Sequence, residues 1–221
     1  MGINAIITGT TGMVGKAVLL ECLDHPAVKK ILVVNRQTVG LQHPKLKEII
    51  HADFFDLSPI KNELTGYNAC FFCLGVSAMG LNEATYHKYT FDLTVQFATM
   101  LAKENPEMIF NYVSGEGTDS SENGKVMWAR VKGKTENSVA SLFKECYLFR
   151  PGAILPEKGV KSKVKAYNFI YFILRPFFPF IKNNNSITTS TRFGKAMINS
   201  VLYGYSKKHV KNNDINIIAK K

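Results

Sequence analysis

The chain has 221 residues, 46% hydrophobic and 20% charged, with four cysteines. That is enough apolar surface to offset the ordering entropy of one good core, which excludes a disordered chain, and four thiols are too few for a disulfide scaffold. The formal charge of +11 is uneven: residues 1–110 carry 9 Lys/Arg against 10 Asp/Glu, and residues 111–221 carry 19 against 7.

Short β-branched runs alternate with longer helical stretches, the pattern of stacked βαβ units. Asn4–Thr8 reads as a first strand and Met13–Leu23 as a helix with Val14, Val18, Leu19 and Leu23 on its apolar positions. Strands follow at Lys30–Asn35, Glu48–His51 and Ala69–Leu74, the last almost wholly apolar, as a strand covered on both faces should be. A long helix over Thr85–Lys103, a strand at Met108–Ser114, a helix at Lys125–Phe143 and a strand at Glu145–Arg150 continue the alternation. A helix at Thr191–Leu202 and a last strand at Asp214–Ala219 close it. The fold class expected is α/β, a doubly wound parallel sheet: one domain over residues 1–221, with residues 153–190 as a cap on its carboxyl edge.

The amino terminus has no basic flank before its apolar run, which predicts no export signal, reduced thiols and a cytoplasmic protein. The longest apolar stretch, Phe169–Ile181, is interrupted by Arg175, Pro176 and Pro179 and falls short of the roughly 20 residues a span needs.

The first predicted strand runs into Thr8-Gly9-Thr10-Thr11-Gly12-Met13-Val14-Gly15, and a predicted helix begins there. In that context a G-x-x-G-x-x-G spacing describes a pyrophosphate cradle. Gly9 would make the tight exit, Gly12 would let the backbone reach the phosphates, and Gly15 would let the helix pack close to the sheet. The second strand ends in Asn35-Arg36 rather than an acidic residue. A guanidinium there can grip a 2′-phosphate with two donors, which favours NADP over NAD. Asp53 either bonds the adenine amino group, with Phe54 beside the ring, or is a turn residue.

In order along the chain, these motifs resemble the short-chain dehydrogenase/reductase superfamily, in its atypical branch near the Tat-interacting-protein oxidoreductases. The resemblance rests on Thr8–Gly15, Arg36, Leu74-Gly75-Val76, Tyr112-Val113-Ser114 and Arg150-Pro151-Gly152. It implies a Rossmann-type fold, a nicotinamide dinucleotide passing over Leu74 and Gly75, Ser114 as a catalytic residue on the substrate oxygen, and Arg150, Pro151 and Gly152 near the nicotinamide. It also implies that Lys132 holds the ribose. Where that family carries a catalytic Tyr four residues before the Lys, this chain has Trp128. An indole N–H is a donor only and cannot relay the carbonyl proton at neutral pH. The Tyr203–Lys207 match to the same spacing lies in the wrong context and reads as coincidence. Water, Tyr112, or one of Tyr86, His87 and Tyr89 is a candidate substitute.

Other chemistry finds little support. Cys70 and Cys73 would point to opposite faces of a strand, the five histidines are scattered, and no metal site is expected. The aromatic segment at 167–181 reads as packing against the domain or a subunit partner, as a lid over an apolar substrate, or as a peripheral membrane contact helped by nearby lysines. The basic carboxyl half reads as a solvated face or an anion-binding one, and no motif supports nucleic acid. The expectation is an NADP(H)-dependent oxidoreductase acting on a small carbonyl or alcohol substrate, with an NADP(H)-binding regulator or scaffold as the alternative.

Overall fold

The computed structural model describes residues 2–160 and 186–221. Strands β1 (Ile3–Thr8), β2 (Val28–Asn35), β3 (Leu46–Ile50), β4 (Ala69–Phe72), β5 (Ile109–Val113), β6 (Glu145–Arg150), β7 (Ala153–Leu155), β8 (Ile187–Thr189) and β9 (His209–Lys211) alternate with helices. These are α1 (Met13–Asp24), α2 (Glu83–His87), α3 (Leu93–Glu104), α4 (Met127–Leu142), α5 (Ser190–Tyr203) and α6 (Asn212–Ile218). Seven strands form one sheet in the order β3-β2-β1-β4-β5-β6-β9, every neighbouring pair parallel, while β7 and β8 pair in a second small sheet.

Alternate residues of each strand enter opposite cores, as the two-residue period of a strand requires. Ala5, Ile7, Val33, Phe71 and Phe149 pack with α1, α5 and α6. Ile6, Leu32, Val34, Phe72, Phe110 and Leu148 pack with α3 and α4. The sheet is therefore covered on both faces, and the protein has the α/β Rossmann-type fold. Cys70 and Cys73 do diverge, one into each core, and all four cysteines are free.

Two local expectations are corrected. Asp214–Ala219 is not a strand: the seventh strand is β9, and the isoleucine run after it is helical α6. Ile215 and Ile218, three apart, are buried, while Ile217 is 46% exposed. Asp214 accepts from the backbone N–H of Lys211 at the start of that helix, at 3.1 Å. The helix expected over Thr85–Lys103 is also not regular. A π-helical turn at Lys88–Asp92 separates α2 from α3.

β7 and β8 bracket the segment expected as a lid, and the aromatic residues 167–181 lie outside the described residues. Among the described residues no helix is long and apolar enough to cross a membrane.

Candidate functional site

Because all seven strands run the same way, their carboxyl ends share one edge. The strand order reverses between β1 and β4, and the loops leaving these two strands part there. That gap is where open α/β sheets hold ligands. A groove of about 430 Å3 occupies it, lined by Gly9, Thr11, Gly12, Asn35, Arg36, Gln37, Phe54, Cys73, Leu74 and Gly75. Seven of these are sequence candidates; Asn35, placed by the sequence at the end of the second strand, lines the groove too, while Gln37 and Cys73 were missed.

The loop is held by close backbone contacts. Gly9 has φ +69°, and an added Cβ would lie 2.5 Å from the Cys73 carbonyl oxygen. A Cβ on Gly15 would lie 2.4 Å from the Gly9 carbonyl oxygen. The third glycine thus seats α1 against its own loop, rather than against the sheet as its spacing suggested. Thr10 is buried and its Oγ1 accepts from Asn35 Nδ2 at 2.6 Å, which ties the loop to the end of β2. Met13 and Val14 form the first turn of α1, half-buried beside the core. No side chain caps that turn and no acidic residue enters it, so its dipole remains available to an anion.

Arg36 is exposed, and among the described residues its guanidinium makes no ion pair or hydrogen bond. A second groove of about 390 Å3 adjoins the first through Arg36, Phe54 and Leu74, and adds Ala52, Asp53, Phe55, Val76, Lys88, Tyr89 and Leu93. Asp53 lines it while its Oδ1 accepts from the Phe55 backbone at 2.8 Å, so the turn role is real. Phe54 is 3% exposed and stacks on Phe97, ring centroids 5.9 Å apart. It is a core residue whose edge reaches both grooves.

Further along the edge, where β5 and β6 end, lies a polar cluster the sequence reading only half identified. Trp128, Lys132 and Glu136 are spaced four apart on α4 and share a stripe. The Trp128 indole lies against the loop at Gly117, where an added Cβ would be 3.4 Å from Cη2. Lys132 Nζ donates to the Ser114 carbonyl oxygen at 2.7 Å, and burial pulls its ammonium down to about 8. Ser114 Oγ donates its one proton to Glu136 Oε1 at 2.5 Å, and the Phe149 carbonyl oxygen lies 3.2 Å from the same hydroxyl.

Glu136 is fully buried, and the sequence reading did not name it. Its partner is Arg150, whose Nε donates to both carboxylate oxygens at 3.0 and 3.2 Å and whose second guanidinium nitrogen also bonds it. His209 Nε2 is 3.7 Å from the same carboxylate. The one available signal was a carboxylate four residues after Lys132, among the buried Thr135 and Val139.

Arg150 is thus engaged with Glu136 and with Ser120 Oγ. The carbonyl of Pro151 accepts from the Glu116 backbone at 2.9 Å, and the Gly152 N–H donates to Asn212 Oδ1 at 3.2 Å. Tyr112 is 1% exposed among Phe72 and Phe110, so substrate does not reach it, and burial pushes its phenol up. Tyr86 is buried and likewise raised, His87 lies 3.3 Å from Asp92, and Tyr89 lines the second groove. Tyr203 is exposed and Lys207 pairs with Asp214 at 2.8 Å, so those two form no site. Among the described residues no cluster of three metal-ligating side chains exists.

This edge, the glycine loop and the parallel sheet define a Rossmann-type protein, and comparison with solved structures bears out that fold. The chain overlays 99% of its length on 81% of an ADP-L-glycero-D-manno-heptose-6-epimerase from Helicobacter pylori, at TM-score 0.68 and 14% identity. It overlays 95% of its length on 74% of the enzyme WbmH of Bordetella bronchiseptica in complex with NAD+, at TM-score 0.67 and 14% identity. No family model matches the chain.

In sequence it is similar to the protein fmp52, mitochondrial, of Emericella nidulans, 27% identical over 174 residues, covering 74% of this chain and 72% of that protein. It is also similar to FMP52, mitochondrial, of Candida albicans, 26% identical over 160 residues, covering 70% and 69%. These relatives do not carry the name Tat-interacting protein. Their names also overturn the cytoplasmic expectation: an amino terminus without an export signal does not distinguish the cytoplasm from an organelle reached by another route.

Proposed function

We propose that this protein binds a nicotinamide dinucleotide, NADP(H) in preference to NAD(H), along the carboxyl edge of its sheet. We further propose that it acts as an oxidoreductase of the short-chain dehydrogenase type on a carbonyl or alcohol substrate, in mitochondria as its relatives are named. The observation that carries this reading is the groove at the strand reversal. It is bounded by a glycine loop with no room for a Cβ at Gly9 or Gly15, an uncapped helix start, and Arg36, which is unpaired among the described residues. These features fit a pyrophosphate and a phosphomonoester.

Gly9, Thr11 and Gly12 would cradle the diphosphate, with Met13 and Val14 supplying backbone at the helix start, and Arg36 would grip the 2′-phosphate. Bound there, the dinucleotide supplies hydride chemistry at its nicotinamide ring. Leu74 and Gly75 form the floor it crosses. Lys132 holds a positive charge beside Ser114.

Calorimetric titration with NADPH, NADP, NADH and NAD at fixed salt tests this reading. Micromolar binding of NADPH, weakened about tenfold or more by Arg36→Ala, is the expected result. Absence of binding by all four overturns it.

A second reading has its own observation. The Ser114 hydroxyl proton is given to Glu136, so toward an incoming substrate oxygen Ser114 presents lone pairs, and Trp128 cannot supply a proton in its place. That arrangement favours a protein that binds NADP(H) and reports it to a partner without turnover. Trp128→Tyr separates the two. A proton donor is worth about 10²–10⁴ in rate. An impaired reductase should therefore gain activity on test aldehydes and ketones, whereas a regulator should gain none.

A further inference from the structure

We infer that Lys88 is a second phosphate-binding cation, which together with Arg36 holds the 2′-phosphate of the dinucleotide in the second groove. The inference rests on the dinucleotide reading above and deepens it. Arg36 and Lys88 come from different parts of the fold, the end of β2 and the π-helical turn before α3, yet both line the same cavity of about 390 Å3.

Among the described residues neither cation is paired with a carboxylate. Arg36 has no hydrogen bond or ion pair among the described residues, and the contact shown by Lys88 is with the ring of Phe55, its Nζ 5.5 Å from the centroid. The rest of the lining is apolar or aromatic: Phe54, Phe55, Leu74, Val76 and Tyr89 among it. Such walls suit a flat base, and the two cations lining the same groove suit an anion attached to it. The one carboxylate present, Asp53, is turned to its own loop through the Phe55 N–H.

The π-helical turn is the device that places Lys88. A regular helix would advance through 88–92 with 3.6 residues per turn, and the wider turn rotates the preceding residues relative to α3. Thr90 and Leu93 then pack inward, and Lys88 and Tyr89 stand exposed at the groove. Such turns recur at functional sites. The π-helical turn is absent from the residue pattern, which reads as one continuous helix.

The test isolates the phosphate. Wild-type protein and Lys88→Gln, which keeps most of the side-chain stem over Phe55, are titrated with 2′,5′-ADP and with 5′-AMP at fixed ionic strength. These probes differ by the 2′-phosphate alone. Lys88→Gln is expected to weaken 2′,5′-ADP about tenfold and to leave 5′-AMP unchanged, the loss of one charge-assisted bond. In a cycle with Arg36→Gln the two losses should be non-additive, since both cations face one dianion. Equal weakening of both probes would make Lys88 a wall of the base pocket, and no weakening of either would make it a solvated lysine. Each result overturns the clamp while leaving the dinucleotide reading intact. If wild-type protein binds neither probe, the dinucleotide reading falls and the clamp with it.

Discussion

Glu136 and Lys132 lie one helical turn apart and have opposite electrostatic situations. Glu136 has lost all contact with water but is met by Ser114 and by a guanidinium through several bonds, the geometry that lets a buried carboxylate persist. Lys132 has one hydrogen bond and a stem buried in protein, and the cost of desolvation outweighs the attraction of Glu136. Its ammonium titrates near 8 when folded against an ordinary 10.5. Between those values the unfolded chain binds more protons than the folded one, so stability rises with pH through that window. Lys132→Met should therefore raise stability at about pH 7, by at most about 3 kcal/mol and by less to the extent that water reaches the side chain. The gain should shrink to nothing above pH ~10.5. Thermal denaturation of both proteins across that range checks this. A variant less stable than the parent at neutral pH would show that the bond to the Ser114 carbonyl outweighs the desolvation.

At the level of elements, the loop between β1 and α1 is set by backbone contact more than by side chains. The Gly15 position faces the Gly9 carbonyl at a distance no Cβ tolerates. Gly15→Ala should push α1 off the loop, cost about 1–3 kcal/mol as overpacking does, and abolish NADPH binding while the sheet survives. Urea denaturation combined with NADPH titration reads both effects, and unchanged binding would show that the loop adapts. The αβ alternation and the core positions of β1, β2, β4 and β6 were legible from residue pattern, because a buried parallel strand must be apolar on both faces. The last element was not legible. Asp214-Ile215-Asn216-Ile217-Ile218 alternates like a strand, but β9 had already taken the edge position beside β6. The isoleucines can reach the core only from a helix packed against α5.

The whole molecule depends on that final unit. Val210, Ile215 and Ile218 are fully buried with Phe193, Met197 and Ile198 of α5. Removing residues 209–221 would strip three core side chains, each worth about 2–5 kcal/mol when truncated, against a total stability of about 5–15 kcal/mol for an ordinary domain. The shortened chain should lose its cooperative thermal transition. A retained sharp transition would show that α6 is peripheral to folding. The positive charge of the carboxyl half belongs to this scale too: Lys207 is paired with Asp214, while Lys208, Lys211 and Lys220 are exposed around the same unit.

Local pattern was sufficient for the fold class and for the glycine loop, because strand periodicity, glycine spacing and the residue at the end of β2 are short-range features. The family resemblance, rather than local pattern, pointed to Ser114 just past β5 and to Lys132 within α4. Glu136, the commitment of Arg150 and Ser114 to it, the burial of Tyr112 and the meeting of Lys88 with Arg36 came only from the assembled fold. Each depends on side chains distant in sequence being brought together, and on which of them water can still reach. Those two quantities decide charge state and hydrogen bonding, and neither is a property of residue order alone.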